Sequence, residues 1–235
     1  MSWENLSPHH YALMTDVKKC KRLVASGSWR HSSRGQTDPA PSKLGCHVLC
    51  LPQVSLPEEM PLKYSVTVRA LCNFTAKHGD LDLRFTPAPS AQEGMAGHAL
   101  VASRRHENYQ SEVSLEGDYK TLTVRGRADG YDPVSNQLEE VKTFRGDLHT
   151  MADNKRALHW AQVKIYGWLL CQARELKEIN LALVYFDIAS MQETPLVEHF
   201  TVAALKEYFE NQCELFLDWA VRELAHRTAR DAALA

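Results

Sequence analysis

The sequence predicts an α/β or α+β fold in which helices cover one central sheet. Three observations point there. Residues 125–145 alternate in a strand-like way on both sides of Asp132-Pro133-Val134-Ser135-Asn136, which is turn chemistry, and so read as a β-hairpin. Residues 154–176 carry Trp, Leu, Ile and Ala at helical spacing, and a nearly continuous apolar run from Ile179 to Asp187 follows at once, as a buried strand would. Helical and strand-like stretches interleave along the chain, which calls for one sheet covered by helices.

In chain order, residues 1–59 differ from the rest. Ser26–Lys43 is rich in Gly, Ser, Arg, Pro and Gln and has neither period, which argues loop or disorder. A short helix is expected over 7–24, with Lys18, Lys19, Lys21 and Arg22 on it. The composition favours a poorly ordered extension over a basic nucleic-acid arm. Met60 is the expected natural start, the residues before it being a dispensable or misassigned leader. The domain itself is expected over 60–226, with a tail over 227–235.

Tyr64–Thr75 is mixed apolar and suits a strand or a short helix, and Gly79–Asp82 a turn. Ser90 as N-cap with Glu93 three residues on forms a capping box, opening a helix to about Glu107. Gly94, Gly97 and His98 lie along its small-residue side, where a backbone or ligand can come close. Tyr109–Glu116 reads as a strand, Lys120–Tyr131 and Gln137–Arg145 as the hairpin arms, Gly146–Asp153 as a polar connection. After the 154–176 helix and the 179–187 strand come a strand over 196–202 and an amphipathic helix over 203–226.

The bulk numbers exclude some classes. An apolar fraction of 44% supports a sizeable core, and a net charge of -2 gives no global push toward nucleic acid. The apolar runs are far shorter than the ~20 residues of a membrane span. No apolar segment follows the N-terminus, so a cytoplasmic protein is expected. The six cysteines include no C-x-x-C pair. Cys46 and Cys50 bracket His47 without a second ligand pair at zinc-finger spacing, so free thiols in a reducing compartment are the better reading.

The hairpin carries the chemistry. With its turn centred between Val134 and Ser135, Asp129 lies opposite Glu140 and Arg127 opposite Lys142. One face is then expected to carry Arg127, Asp129, Glu140 and Lys142, the other Val124, Gly126, Ala128, Val141 and Thr143. Opposed carboxylates about 5 Å apart destabilise a strand pair. A divalent cation between them removes that penalty, since hard cations take carboxylate oxygens. A lysine two residues after Glu140 points at the same site and can offset charge on a transferring phosphate.

Asp129 followed by Glu140-Val141-Lys142 resembles the signature of the PD-(D/E)XK nuclease superfamily. More residues resemble its RecB-like branch: Gly97-His98 on the helix before the sheet, Gly126-Arg127-Ala128-Asp129-Gly130, Glu140-Val141-Lys142-Thr143, and Gln162-Val163-Lys164-Ile165-Tyr166 on the next helix. The likeness covers about residues 64–225, and is nearest to nuclease domains found ahead of DinG/XPD-like helicases. Helicase motifs do not follow here, so a free-standing or truncated version is expected. The resemblance implies a restriction-endonuclease-like core and a metal-dependent nuclease, or exonuclease, acting on DNA in repair or processing alongside a helicase. It implies Mg²⁺ or Mn²⁺ held by His98, Asp129, Glu140 and the Val141 carbonyl, with Lys142 catalytic. Gln162 and Tyr166 are implied to contact DNA or order the site. Glu112 matches an acidic position on the first strand of this branch, and Arg127 joins the DNA-facing or supporting group.

One departure matters. Many such nucleases carry four cysteines for an iron–sulfur cluster, whereas Cys72, Cys171 and Cys213 lack cluster spacing, so no such centre is expected. Arg104, Arg105, Arg125, Arg127, Arg145, Lys155, Arg156 and Lys164 flank the site in sequence and are read as a phosphate-facing patch. The competing function is a catalytically inactive nucleic-acid- or helicase-binding module on the same fold.

Overall fold

The computed structural model describes residues 63–79 and 88–234. The chain divides into a unit of Met1–Met60 and a unit of Pro61–Ala235. The first unit lies outside the described residues, and with it the expected helix over 7–24, the polar loop and the Cys46–Cys50 cluster. Most of the Gly79–Asp82 turn lies outside them too.

The second unit runs β1 (Tyr64–Thr67), α1 (Val68–Thr75), α2 (Ala91–Ser103), β2 (Gln110–Tyr119), β3 (Leu122–Asp132), β4 (Gln137–Phe144), α3 (Asp153–Arg174), β5 (Glu178–Asp187), β6 (Gln192–Thr201) and α4 (Val202–Leu234). The strands form one mixed sheet in the order β1-β3-β4-β5-β6, with β2 on the other edge of β3. β1 runs parallel to β3 and β4 parallel to β5, the other pairs being antiparallel. A mixed α/β fold with a central mixed sheet flanked by helices is therefore what the chain adopts.

Several boundaries differ from expectation. Residues 64–75 form both a strand and a helix: Thr67 ends β1, and its side chain accepts from the Ala70 N–H to cap α1. The Ser90/Glu93 capping box forms, but α2 stops at Ser103 rather than near Glu107. A 3-10 turn, Leu148–Thr150, sits in the polar connection. The last helix continues to Leu234, through residues read as a tail.

β5 explains its own sequence. Leu181, Leu183 and Tyr185 enter the large core cluster with α1, α3 and α4, while Ala182, Val184 and Phe186 enter a smaller cluster with Val101 of α2 and Val141 of β4. Both faces are covered, so every residue from Leu181 to Phe186 is apolar. Each fully buried large side chain there contributes about 1.5–3 kcal/mol of transfer free energy. α2 lies close on β4: a Cβ on Gly97 would sit 2.6 Å from Thr143 Cγ2.

The hairpin register agrees with expectation where it is paired: Gly130 faces Glu139, Tyr131 faces Leu138, and Asp132 faces Gln137. There the pairing stops. β1 takes the same edge of β3 only over Leu122–Arg125. Asp129 has a ladder partner in none of β1, β2 or β4. Glu112, its counterpart on β2, adopts a left-handed φ of 56°. Ala128 and Tyr131 both enter the large core cluster, which unbroken alternation forbids for residues three apart. The expected faces are corrected accordingly. Val124 and Ala128 join the large cluster, but Val141 joins the smaller one and Thr143 touches α2. The two arms part beyond Gly130, so their apolar residues serve opposite layers.

Candidate active site

The fork between β3 and β4 gathers His98, Asp129, Glu140, Lys142 and Gln162. Asp129, freed from the ladder, uses its carboxylate to bridge α2 and β4. Its Oδ1 lies 3.0 Å from His98 Nδ1, and its Oδ2 accepts from the Val141 N–H at 2.7 Å. The bond to Asp129 raises the His98 pKa above the ordinary histidine value, against the opposing effect of burial.

Glu140 and Lys142 lie two apart on β4 and face α3. Lys142 Nζ donates to Glu140 Oε1 at 2.7 Å and to Gln162 Oε1 at 2.8 Å. Glu140 is 7% exposed, and its Oε2 is buried without a hydrogen-bond partner among the described residues. Burial, followed by the nearby Asp129, pushes the Glu140 carboxyl above its usual range, while Lys142 and His98 pull it down.

Gln162 and Tyr166 are one turn apart on α3, and both are buried. Gln162 thus meets Lys142. Tyr166 lies under β3: a Cβ on Gly126 would sit 2.8 Å from the Tyr166 hydroxyl, and the backbone of Arg127 hydrogen-bonds that phenol. Arg127 and Glu112 lie away from this group; both are exposed and pair with each other at 3.3 Å. Among the described residues, no three His, Cys, Asp or Glu side chains converge as they stand in a ready-made metal cage.

The wider basic patch is mostly committed elsewhere. Arg104 and Arg105 pair with Glu193, Arg105 also with Glu139, and Arg145 with Glu93. Lys164 stands over the rings of Phe200 and Tyr208. Arg105 belongs to a network that the sequence did not announce. Its Nε donates to the buried Glu139 Oε2 at 2.9 Å, Tyr109 Oη donates to the same oxygen at 3.1 Å, and Gln137 Nε2 donates to Glu139 Oε1 at 3.0 Å. This network ties the end of α2 to β4 beside Glu140. The Glu139-Glu140 doublet was its one trace in the sequence, since neighbours on a strand point to opposite faces.

His159, one turn before Gln162, carries Nδ1 2.9 Å from Tyr185 Oη. Tyr185 is the register partner of Lys142 on β5. Burial, and then the cations Lys142, Lys155 and Arg156, push His159 down from 6.5 to about 3. The unfolded chain therefore accepts a proton that the folded one refuses. The stability this provides is intact above pH 6.5 and is lost as pH falls toward 3. At pH 5 the loss is about 2 kcal/mol. Urea unfolding at pH 7 and pH 5 should show His159→Gln losing less stability than the parent protein; equal losses would remove His159 as the source.

No protein-family model matches the sequence, and no match is found among curated proteins. Solved structures do align. An alkaline exonuclease from Laribacter hongkongensis matches at TM-score 0.45 and 14% identity, over 73% of this chain and 95% of that one. A phage-related exonuclease from Haemophilus somnus matches at TM-score 0.42 and 13% identity, over 68% and 82%. The protein designated SSO0001 matches at TM-score 0.41 and 20% identity, over 67% and 79%. At such scores these likenesses carry no functional argument, and none bears on the helicase-associated type.

Proposed function

We propose that the chain is a metal-dependent nuclease that hydrolyses phosphodiester bonds of DNA at the β3–β4 fork. One observation carries the reading: a buried carboxylate, Glu140, keeps one oxygen unpartnered beside Asp129 while its other oxygen steadies Lys142. A buried charge without full compensation is costly, and protein interiors retain one where it has a task.

The donor set suits a hard divalent ion. Glu140 Oε2, Asp129, the Val141 carbonyl and His98 Nδ1, which faces Asp129, are the groups that would hold Mg²⁺ or Mn²⁺. Bound there, the ion supplies Lewis acidity toward a phosphoryl oxygen and lowers the pKa of water. The chain's own residues do the rest. Gln162 and Glu140 hold the Lys142 ammonium, which orients the attacking water or offsets charge on the transferring phosphate. The Val141 N–H fixes one Asp129 oxygen, and Tyr166 packs beneath Gly126 to set the height of β3. The finer parts of the proposal are a role in DNA repair or processing beside a DinG/XPD-like helicase, and a reducing cytoplasmic setting. The latter suits the buried thiols Cys72, Cys171 and Cys213. No helix of the described residues is long and apolar enough to cross a membrane.

The test uses labelled single-stranded and duplex DNA with Mg²⁺, Mn²⁺ or EDTA, beside Asp129→Ala. Cleavage should need a metal and fall about 100-fold or more in the variant. Cleavage that survives EDTA, or that Asp129→Ala leaves unchanged, would sink the reading. Binding without cleavage would mark the non-catalytic module instead.

A further inference from the structure

Two cations on the helix that carries Gln162 are paired with no carboxylate among the described residues. Lys155 and Arg156 lie in the first turn of α3, and among the described residues neither forms an ion pair. Arg156 Nη2 donates to the Leu148 carbonyl at 3.3 Å, and its Nε is a buried donor without a partner among the described residues. Positions 155 and 156 precede His159 by four and three residues, so all three share one helix face. That face continues through Gln162, which holds Lys142. Its link to β5 is the His159–Tyr185 contact. Both cations act electrostatically on His159, and Arg156 also on Tyr185.

An unbalanced cationic wall with a spare donor, adjoining a lysine that faces a transferring phosphate, suits a second anion. A groove elsewhere, of about 440 Å³ and lined by Thr67, Ser114–Glu116 and Arg125–Arg127, suits one less well. There Arg125 lies opposite Glu116, and Arg127 pairs with Glu112, so its charges balance.

We infer that Lys155 and Arg156, above His159, form a phosphate subsite for the nucleic-acid strand, taking a phosphate next to the one being cleaved. The inference rests on the nuclease reading of the neighbouring site. It separates that reading from strand grip: Lys142 acts on the reacting phosphate, while Lys155 and Arg156 hold a non-reacting one.

The experiment is binding of a fluorescein-labelled single-stranded oligonucleotide to the full chain in EDTA, by anisotropy, across a series of salt concentrations. Each cation that neutralises a phosphate of a single strand contributes about 0.7 to the slope of log K against log salt. Lys155→Gln and Arg156→Gln should each lower the slope by about that amount, and the double variant by about twice it. Arg230→Gln, at the far end of α4, should leave it unchanged. Because Arg156 also bonds the Leu148 carbonyl, its variant can fold poorly. Lys155→Gln, whose exposed side chain bonds to no described residue, then decides alone. Unchanged slopes, an equal fall with Arg230→Gln, or no binding by the parent protein would overturn the subsite. Cleavage assays in Mg²⁺ on the same proteins keep the two claims apart. A slope loss without any cleavage leaves the subsite standing and the catalytic reading fallen. Cleavage with unchanged slopes does the reverse.

Discussion

Lys142→Ala is expected to lower kcat for DNA cleavage by about 10²–10³-fold, the cost of removing one preorganised charged donor from a developing anion. The geometry makes the loss double. Lys142 Nζ is the group that Glu140 Oε1 and Gln162 Oε1 both hold, at 2.7 and 2.8 Å. Without it, Glu140 has no described hydrogen-bond partner left for either oxygen. Lys142 is also the strongest influence pulling the Glu140 carboxyl down, so the carboxyl rises further above its usual range in the variant. A protonated Glu140 is a poor metal ligand, so the metal requirement should shift to higher concentration and weaken as pH is raised. Breaking a buried pair by removing one partner also costs stability, about 3–5 kcal/mol where burial is complete. Lys142 is 22% exposed at the side chain, so a smaller loss is expected here. Three measurements separate these parts: kcat and KM at saturating Mn²⁺, a Mn²⁺ titration, and thermal unfolding. A variant that cleaves at the parent rate at saturating metal would remove Lys142 from the chemistry.

The site was legible in part, for physical reasons that differ from residue to residue. The pairing of Gly130 with Glu139 followed from turn chemistry at 132–136 and a two-residue period, both local rules. The break at Asp129 did not follow, because a period assumes an unbroken ladder. The features that break it, the left-handed Glu112 and the parting of β4 from β3, come from the partner strands. The same limit misassigned the faces of Val141 and Thr143. Gln162 was found by its motif, but its burial against Lys142 depends on how α3 lies over β4. The Arg105–Glu139 pair joins residues 34 apart, and Arg and Glu are too common for such a pair to stand out in a sequence. The patch of eight cations shows the opposite failing. Charge was read correctly from composition, yet four of the eight arginines and lysines are spent on Glu93, Glu112, Glu139 and Glu193. Only the fold separates those from Lys155 and Arg156.

Glu140→Gln should move activity and stability in opposite directions. Cleavage should fall about 100-fold or more, because a neutral amide gives a divalent ion a far weaker oxygen ligand. Stability at pH 7 should rise by about 0.5–2 kcal/mol, the usual gain from relieving a strained functional residue. The sign follows from the forces on Glu140. Burial and Asp129 disfavour its charge, Lys142 and His98 favour it, and the balance lies above the ordinary value of 4.5. The unfolded chain releases this proton near pH 4.5, while the folded chain holds it to higher pH. The penalty is thus absent below pH 4.5 and grows as pH rises through the folded value. Glutamine removes it and keeps an acceptor for Lys142. The advantage of the variant in urea unfolding should therefore shrink as pH is lowered from 7 to 4.5. A variant less stable than the parent at pH 7 would mean that Lys142 fully compensates Glu140. Glu140 would then be a satisfied structural anion, and the buried oxygen without a partner would no longer argue for a metal. A variant that is more stable, inactive and still able to bind DNA would place the cost of Glu140 where a catalytic carboxylate should carry it.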